Sequence, residues 1–164
     1  MRLALSNLEF SSTGLNTLKV LEGFKAKPYP DSGGKMTVGY GHLIVKGDGV
    51  STGDIIDQVK ATELLVRDVQ KAVDCVNGCV TSTINQNQFD ALVVFAYNVG
   101  SHALQNSTLL RKFNSKDFQE ASNQFLVWDK VKANGMFIEV NGLKNRRLAE
   151  QKLFNTPVGV QDGT

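Results

Sequence analysis

Two carboxylates near the start of the chain have the types and spacing for acid–base work on a glycosidic bond. Glu22 continues a stripe with Leu15 and Leu18, at i, i+3 and i+7. A Glu on an apolar helical stripe is partly desolvated; burial penalises its charged form, so a proton stays available near neutral pH. Asp31 lies nine residues on, in the turn Pro30-Asp31-Ser32-Gly33-Gly34, where a carboxylate remains solvated and ionised. One protonated and one ionised carboxyl flanking a cleft is what glycosidic cleavage requires. Taken singly, each has a plainer reading: Glu22 as a surface residue at a helix end, Asp31 as a turn former. Periodicity alone does not choose between them.

Other chemistries find less support. His42 and His102 are the only histidines, and neither has a second His or Cys at ligand spacing. Asp48 and Asp54, with Gly49 and Gly53, lack the ordered ligand ladder of a calcium loop. No GxSxG, Walker or GxGxxG pattern occurs, so neither a metal nor another cofactor is expected. Cys75 and Cys79 read as structural residues and not as a nucleophile.

The elements that must position the carboxylates follow from composition and period. Seven of the 15 glycines fall within residues 33–53, a density that belongs to turns and short strands. Residues 36–40 (MTVGY) and 43–45 (LIV) flank Gly41-His42 and predict a small hairpin or short sheet. Ile56, Val59, Val66, Val69, Val73 and Val76 recur near a 3.6-residue period, predicting a long helix over about 55–76. Asn85 and Gln88 form a capping-box pattern, Ile84 and Phe89 a hydrophobic staple, and Gly100 a stop, so a helix apolar nearly all round is expected between them. Phe118, Ala121, Phe125 and Trp128 predict a further helix, and Asn141–Phe154 the last. The expected fold class is α+β and mainly helical, one domain over 1–164. A small sheet-containing lobe (about 13–54) and a larger helical lobe (about 80–154) would be joined by the long helix, with a ligand cleft between them.

Composition limits the functional classes. The 164 residues are 41% hydrophobic and 21% charged, ordinary for a globular chain. The net charge of +2 is uneven, +3 over residues 1–47 and −3 over 48–74. A chain that grips DNA through phosphates normally shows a larger, more concentrated excess, so nucleic acid is demoted as a partner. The longest apolar run, Ala91–Tyr97, is far short of the ~20 residues that span a bilayer, so no membrane insertion is expected. The N-terminal MRLALSNLEF is broken by Ser6, Asn7 and Glu9, too early for a cleaved signal peptide, and synthesis in the cytoplasm is the expectation.

Glu22, Asp31 and Thr37, followed by Val38-Gly39-Tyr40-Gly41-His42, resemble the catalytic signature of the phage-type lysozymes, the endolysin muramidases of glycoside hydrolase family 24 typified by T-even phages. The resemblance continues through residues 87–92 (NQFDAL) and 98–100 (NVG). It resumes at Gly142-Leu143, Asn145-Arg146-Arg147 and Glu150, covering roughly residues 12–154. It implies a lysozyme fold and hydrolysis of the β-1,4 bond between N-acetylmuramic acid and N-acetylglucosamine in peptidoglycan, for host lysis. It also implies a monomer acting on glycan strands at the wall, reached through a separate holin-type membrane pore. Glu22 would be the general acid. Asp31 would stabilise the charge developing at the anomeric carbon and help hold the attacking water, which the Thr37 hydroxyl would orient. Arg146, carried over from the family, would hold Glu22. Two other classes remain: a lytic transglycosylase on the same bond, disfavoured by the presence of both Asp31 and Thr37, and a catalytically silent wall-binding protein.

Three further expectations concern the supporting residues. Asp68 lies on the stripe of Ala61, Leu65, Ala72 and Cys75, where an unpaired carboxylate is costly, and its family counterpart pairs with the histidine of the GYGH segment; an Asp68–His42 ion pair is therefore expected. Cys75 and Cys79, at i and i+4, would have Cα atoms about 6 Å apart, inside the disulfide range if Gly78 lets the chain bend, with two reduced thiols as the alternative. Finally, Lys27-Pro28-Tyr29-Pro30 keeps the approach to Asp31 extended, which favours the ~6.5–9.5 Å carboxyl separation of an inverting enzyme over the ~5 Å of a retaining one.

Overall fold

Helix ends in this chain are set by side chains that take up otherwise orphaned backbone N–H groups. The computed structural model describes residues 7–133, 136–139 and 141–159. The first helix, α1 (Ser12–Glu22), starts where Ser11 Oγ accepts from Gly14 N at 3.2 Å. It stops at Gly23, whose φ of 72° breaks the helix immediately after Glu22. The chain divides into two units: residues Leu15–Gln70, and the flanking parts up to Gly14 and from Lys71 onward.

In the first unit, β1 (Lys25–Pro30), β2 (Met36–Gly39) and β3 (His42–Leu43) form an antiparallel sheet in that order. The extended approach to Asp31 is thus itself a strand. Thr37 stands opposite Tyr29 on one side and Leu43 on the other, and Val38 opposite His42. Gly39 and Gly41 have φ of 67° and 81° in the connection that follows, a reversal that L side chains resist. A Cβ on Gly39 would also come within 3.0 Å of the Ala61 Cβ, so the sheet depends on that glycine to approach the next helix.

That helix, α2 (Gln58–Cys79), begins and ends three residues later than its valine period predicts. The reason is local. Ile56 N donates to Ala26 O at 3.0 Å, tying that residue to β1, and Asp57 Oδ1 caps the helix by accepting from Lys60 N at 2.8 Å. Its buried face runs through Ala61, Leu64, Leu65, Val69, Ala72, Val73 and Val76, whereas Val59 and Val66 are exposed. Both had been expected on the apolar stripe, but the face is fixed by Ala61 meeting Gly39.

The second unit is helical. α3 (Gln86–Val99) carries the capping box of Asn85 and Gln88, and Ile84 and Phe89 are fully buried. Short helices α4 (Ser101–Gln105), α5 (Thr108–Asn114) and α6 (Phe118–Gln124) follow. The expected helix through Trp128 ends early, as a 3-10 turn over Phe125–Val127. A hairpin of β4 (Lys130–Ala133) and β5 (Met136–Glu139), which no periodicity signalled, precedes α7 (Asn141–Asn155). Edge-to-face rings link this core: Phe95 to Phe125 at 5.5 Å, Phe125 to Phe154 at 5.3 Å and Phe154 to Phe113 at 5.8 Å. Asp90 of α3, fully buried, accepts from Ser11 N, Ser11 Oγ and Gln86 Nε2, so it anchors the start of α1.

Candidate active site

Glu22 is the last residue of α1 and is half-buried. Four residues earlier on the same stripe Leu18 is fully buried, which seats the helix, and Gly23 then turns the chain into β1. Gly41 faces the Glu22 carboxylate so closely that a Cβ there would lie 3.2 Å from Glu22 Oε2. The glycines of the GYGH segment thus serve two needs, the left-handed turn and room for the acid.

Asp31 opens the β1–β2 turn and is exposed. Its Oδ1 accepts from Gly33 N at 2.8 Å and Lys35 N at 2.9 Å, and its backbone N donates to Lys35 O at 2.8 Å. One oxygen of the carboxylate is committed to the turn. The other, Oδ2, has no hydrogen-bond donor among the described residues. Thr37 follows the turn and is buried; its hydroxyl donates to Lys35 O at 3.1 Å, leaving the oxygen to accept. In the register of the hairpin Asp31 follows the Pro30–Met36 pair on the turn side, opposite Lys35, and Thr37 stands one pair back along β2, opposite Tyr29.

His42 is buried between two carboxylates. Its Nδ1 lies 2.7 Å from Asp68 Oδ2 of α2, and its Nε2 lies 2.7 Å from Asp48 Oδ2. The second of these partners had no sequence signal beyond a discounted resemblance to a calcium loop. Asp48 also accepts from Val45 N at 2.9 Å and Val50 N at 3.0 Å, closing the loop on itself. Burial works against charge on the imidazole, but hydrogen bonds and charge from Asp48 and Asp68 outweigh it and raise the His42 pKa. The Val45 N–H, then the imidazole and the Val50 N–H, hold the Asp48 carboxyl well below the usual carboxylate range. The raised His42 pKa stabilises the fold below the unfolded value, and that contribution is lost as pH rises through the folded value. The lowered Asp48 pKa acts oppositely, its contribution being lost as pH falls below the unfolded value. Stability from this cluster should therefore peak between about pH 4 and pH 6.5. Melting curves from pH 3 to 9 should show both limbs, and His42→Asn should flatten the alkaline one; an unchanged alkaline limb would refute the assignment.

The remaining supporting residues lie in the other unit. Arg146 is buried on α7, its Nε 3.6 Å from Glu150 Oε2. Its neighbour Arg147, which the sequence did not single out, is fully buried: Nε lies 2.9 Å from Glu150 Oε1, the guanidinium stacks 5.0 Å from the Phe95 ring centroid, and Nη2 donates to Asn98. Cys75 and Cys79 form no disulfide in the structure. The helix continues through Gly78 to Cys79, and the thiols turn to separate carbonyls, those of Ser101 and Val76. A recess of about 570 Å³, lined by Asp48, Lys60, Thr62, Glu63, Val66 and Arg67, contains none of Glu22, Asp31 or Thr37.

Comparison with known proteins gives the family of the chain. The phage lysozyme family model matches residues 19–150. The endolysin of Bacillus phage B103 is 42% identical over 151 residues, 91% of this chain and 55% of that protein, so the chain spans about half of that relative's length. The endolysin of Acyrthosiphon pisum secondary endosymbiont phage 1 is 36% identical over 91% of this chain and 99% of its own length. Among solved structures, the endolysin from Escherichia coli O157:H7 phage FAHEc1 superposes with a TM-score of 0.86 at 35% identity, covering 92% of this chain and 96% of that one. The observed fold is thus lysozyme-like, α+β and mainly helical, and by family match, sequence identity and fold this chain belongs to the phage lysozyme family.

Proposed function

We propose that this chain is an endolysin that hydrolyses the β-1,4 bond between N-acetylmuramic acid and N-acetylglucosamine in peptidoglycan, as T-even-type enzymes of glycoside hydrolase family 24 do. The observation that carries the reading is the presence in one unit of Glu22, lodged against Gly41, and of an Asp31 carboxylate that keeps one oxygen free at the β1–β2 turn, with the Thr37 hydroxyl on the adjoining strand. Glu22 gives its proton to the departing glycosidic oxygen. A water donates one hydrogen to Asp31 Oδ2 and the other to Thr37 Oγ1, which presents its lone pair to the anomeric carbon. As the C–O bond forms, Asp31 takes the water's proton, and exchange with solvent then restores both carboxyls. The reading includes action as a monomer at the cell wall, reached through a separate membrane pore, as the family resemblance implies. No helix among the described residues is long and apolar enough to cross a membrane.

Mass analysis of products from purified peptidoglycan tests the reaction: a reducing muramic acid end is expected, and an anhydromuramic end would make the protein a transglycosylase. Stereochemistry tests the roles. A water-mediated displacement inverts, so time-resolved NMR should show the α-anomer first; the β-anomer first, or a trapped adduct on Asp31, would overturn the assignment.

A further inference from the structure

We infer that Asp48 is a positioning residue for this reaction, acting through His42 on the Gly41 turn that faces Glu22; the inference rests on the function proposed above. One Asp48 carboxylate performs two tasks. It gathers the Val45 and Val50 N–H groups, closing a loop in which Gly47 and Gly49 both take positive φ, and it accepts from His42 Nε2. Asp68 on α2 takes the other ring nitrogen, and Arg67 Nη2 reaches the Asp48 carbonyl at 3.5 Å. The charged groups facing the imidazole are therefore Asp48 from the loop and Asp68 from the helix, with Arg67 at the edge; Glu22 of α1 faces the adjoining Gly41.

With both ring nitrogens opposite carboxylates, only the imidazolium can donate to both. A neutral ring keeps one N–H and turns a lone pair toward the other carboxylate. Loss of the proton, or of Asp48, therefore releases the ring on one side. The ring is poorly placed to move without consequence. His42 follows Gly41 directly and pairs with Val38, while the next cross-strand pair is Thr37 with Leu43. A shift at His42 thus passes within one residue to the turn against the acid and to the hydroxyl that holds water. Misplacement on the order of 1 Å can cost about 10²-fold in rate.

The test measures kcat and KM of Asp48→Asn from pH 4 to 9, below its melting temperature, together with the His42 titration followed by NMR. Positioning predicts that kcat falls about 5–50-fold with KM within about twofold. The alkaline limb and the His42 midpoint should both move about one pH unit lower, since one of two opposite charges is gone. A role confined to stability predicts a lower melting temperature and unchanged kcat. Asp68→Asn is the second arm, releasing the same imidazole from the helix side, and should lower both kcat and the midpoint even if Asp48→Asn does not fold. Wild-type kcat across the pH range in either folded variant, with the His42 midpoint displaced, would overturn the inference. Glu22→Gln in the same assay separates the two failures: if it stays active the proposed function falls, and if it is inactive while the Asp48 and Asp68 variants are normal, only the positioning role falls.

Discussion

Glu22→Gln should reduce peptidoglycan turnover by about 10²–10⁴-fold, the usual contribution of a positioned general acid. The amide keeps the size of the side chain and can occupy the same space beside Gly41, but it has no proton to give the leaving oxygen. The fold should hold, because α1 ends through the Gly23 conformation and the burial of Leu18, neither of which uses the Glu22 charge. Melting within a few degrees of wild type, with substrate binding retained, would assign the loss to chemistry. More than a tenth of wild-type turnover in the variant would remove Glu22 from the mechanism. Asp31→Asn should also impair the water-dependent step, since an amide cannot take the water's proton.

A second large effect is expected in the other unit. Glu150 is fully buried and sets its two oxygens against two guanidiniums, Arg147 at 2.9 Å and Arg146 at 3.6 Å. Burial pushes the Arg147 pKa down, and the Glu150 charge opposes that shift. Glu150→Gln leaves adjacent buried cations facing an amide, and breaking such a pair from one side costs about 3–5 kcal/mol. In a chain of this length that lowers the melting temperature by on the order of 10 °C. Removing Arg147 and Glu150 together, as Arg147→Met with Glu150→Leu, should cost less than the single change, because one buried guanidinium, Arg146, and not two, then loses the Glu150 charge. A Glu150→Gln variant within about 1 kcal/mol of wild type would show that the cluster is not held by this charge.

Features written in short-range spacing were legible from the sequence. The Asn85–Gln88 box and the Gly100 stop of α3 depend on residues a few positions apart, and the helix runs between them as expected. The carboxylates and Thr37 could be singled out as types in a pattern, but how Asp31 divides its oxygens emerges only from the turn that binds one of them. Asp48 was illegible because its meeting with His42 requires a loop shaped by two positive-φ glycines, and no period describes such a loop. Val59 and Val66 misled for a related reason: hydrophobic period marks a face, but the close approach of Ala61 to Gly39 decides which face turns inward. Arg147 entered only within the Asn145-Arg146-Arg147 segment of the resemblance; the i+3 spacing offers Glu150 as a partner, but nothing local announces the Phe95 ring or the full burial around it.

The two-unit division has a consequence for the order in which the chain can acquire structure. Residues Leu15–Gln70 are contiguous, whereas the other unit draws on segments from both sides of them. Its closing bonds, Ser11 to Asp90 and Leu8 to Asn77, bridge 79 and 69 positions. Such long closures cost only slowly more entropy as the loop lengthens, but they need both ends present. During synthesis the inserted segment can therefore complete its sheet while Ser11 still awaits its acceptor, and α1 begins life capped by Ser11 but not yet tied to α3. Hydrogen exchange under native conditions should correspondingly resolve two cooperative opening units, with the amides of residues 15–70 exchanging as one group and those of α3 and α7 as another.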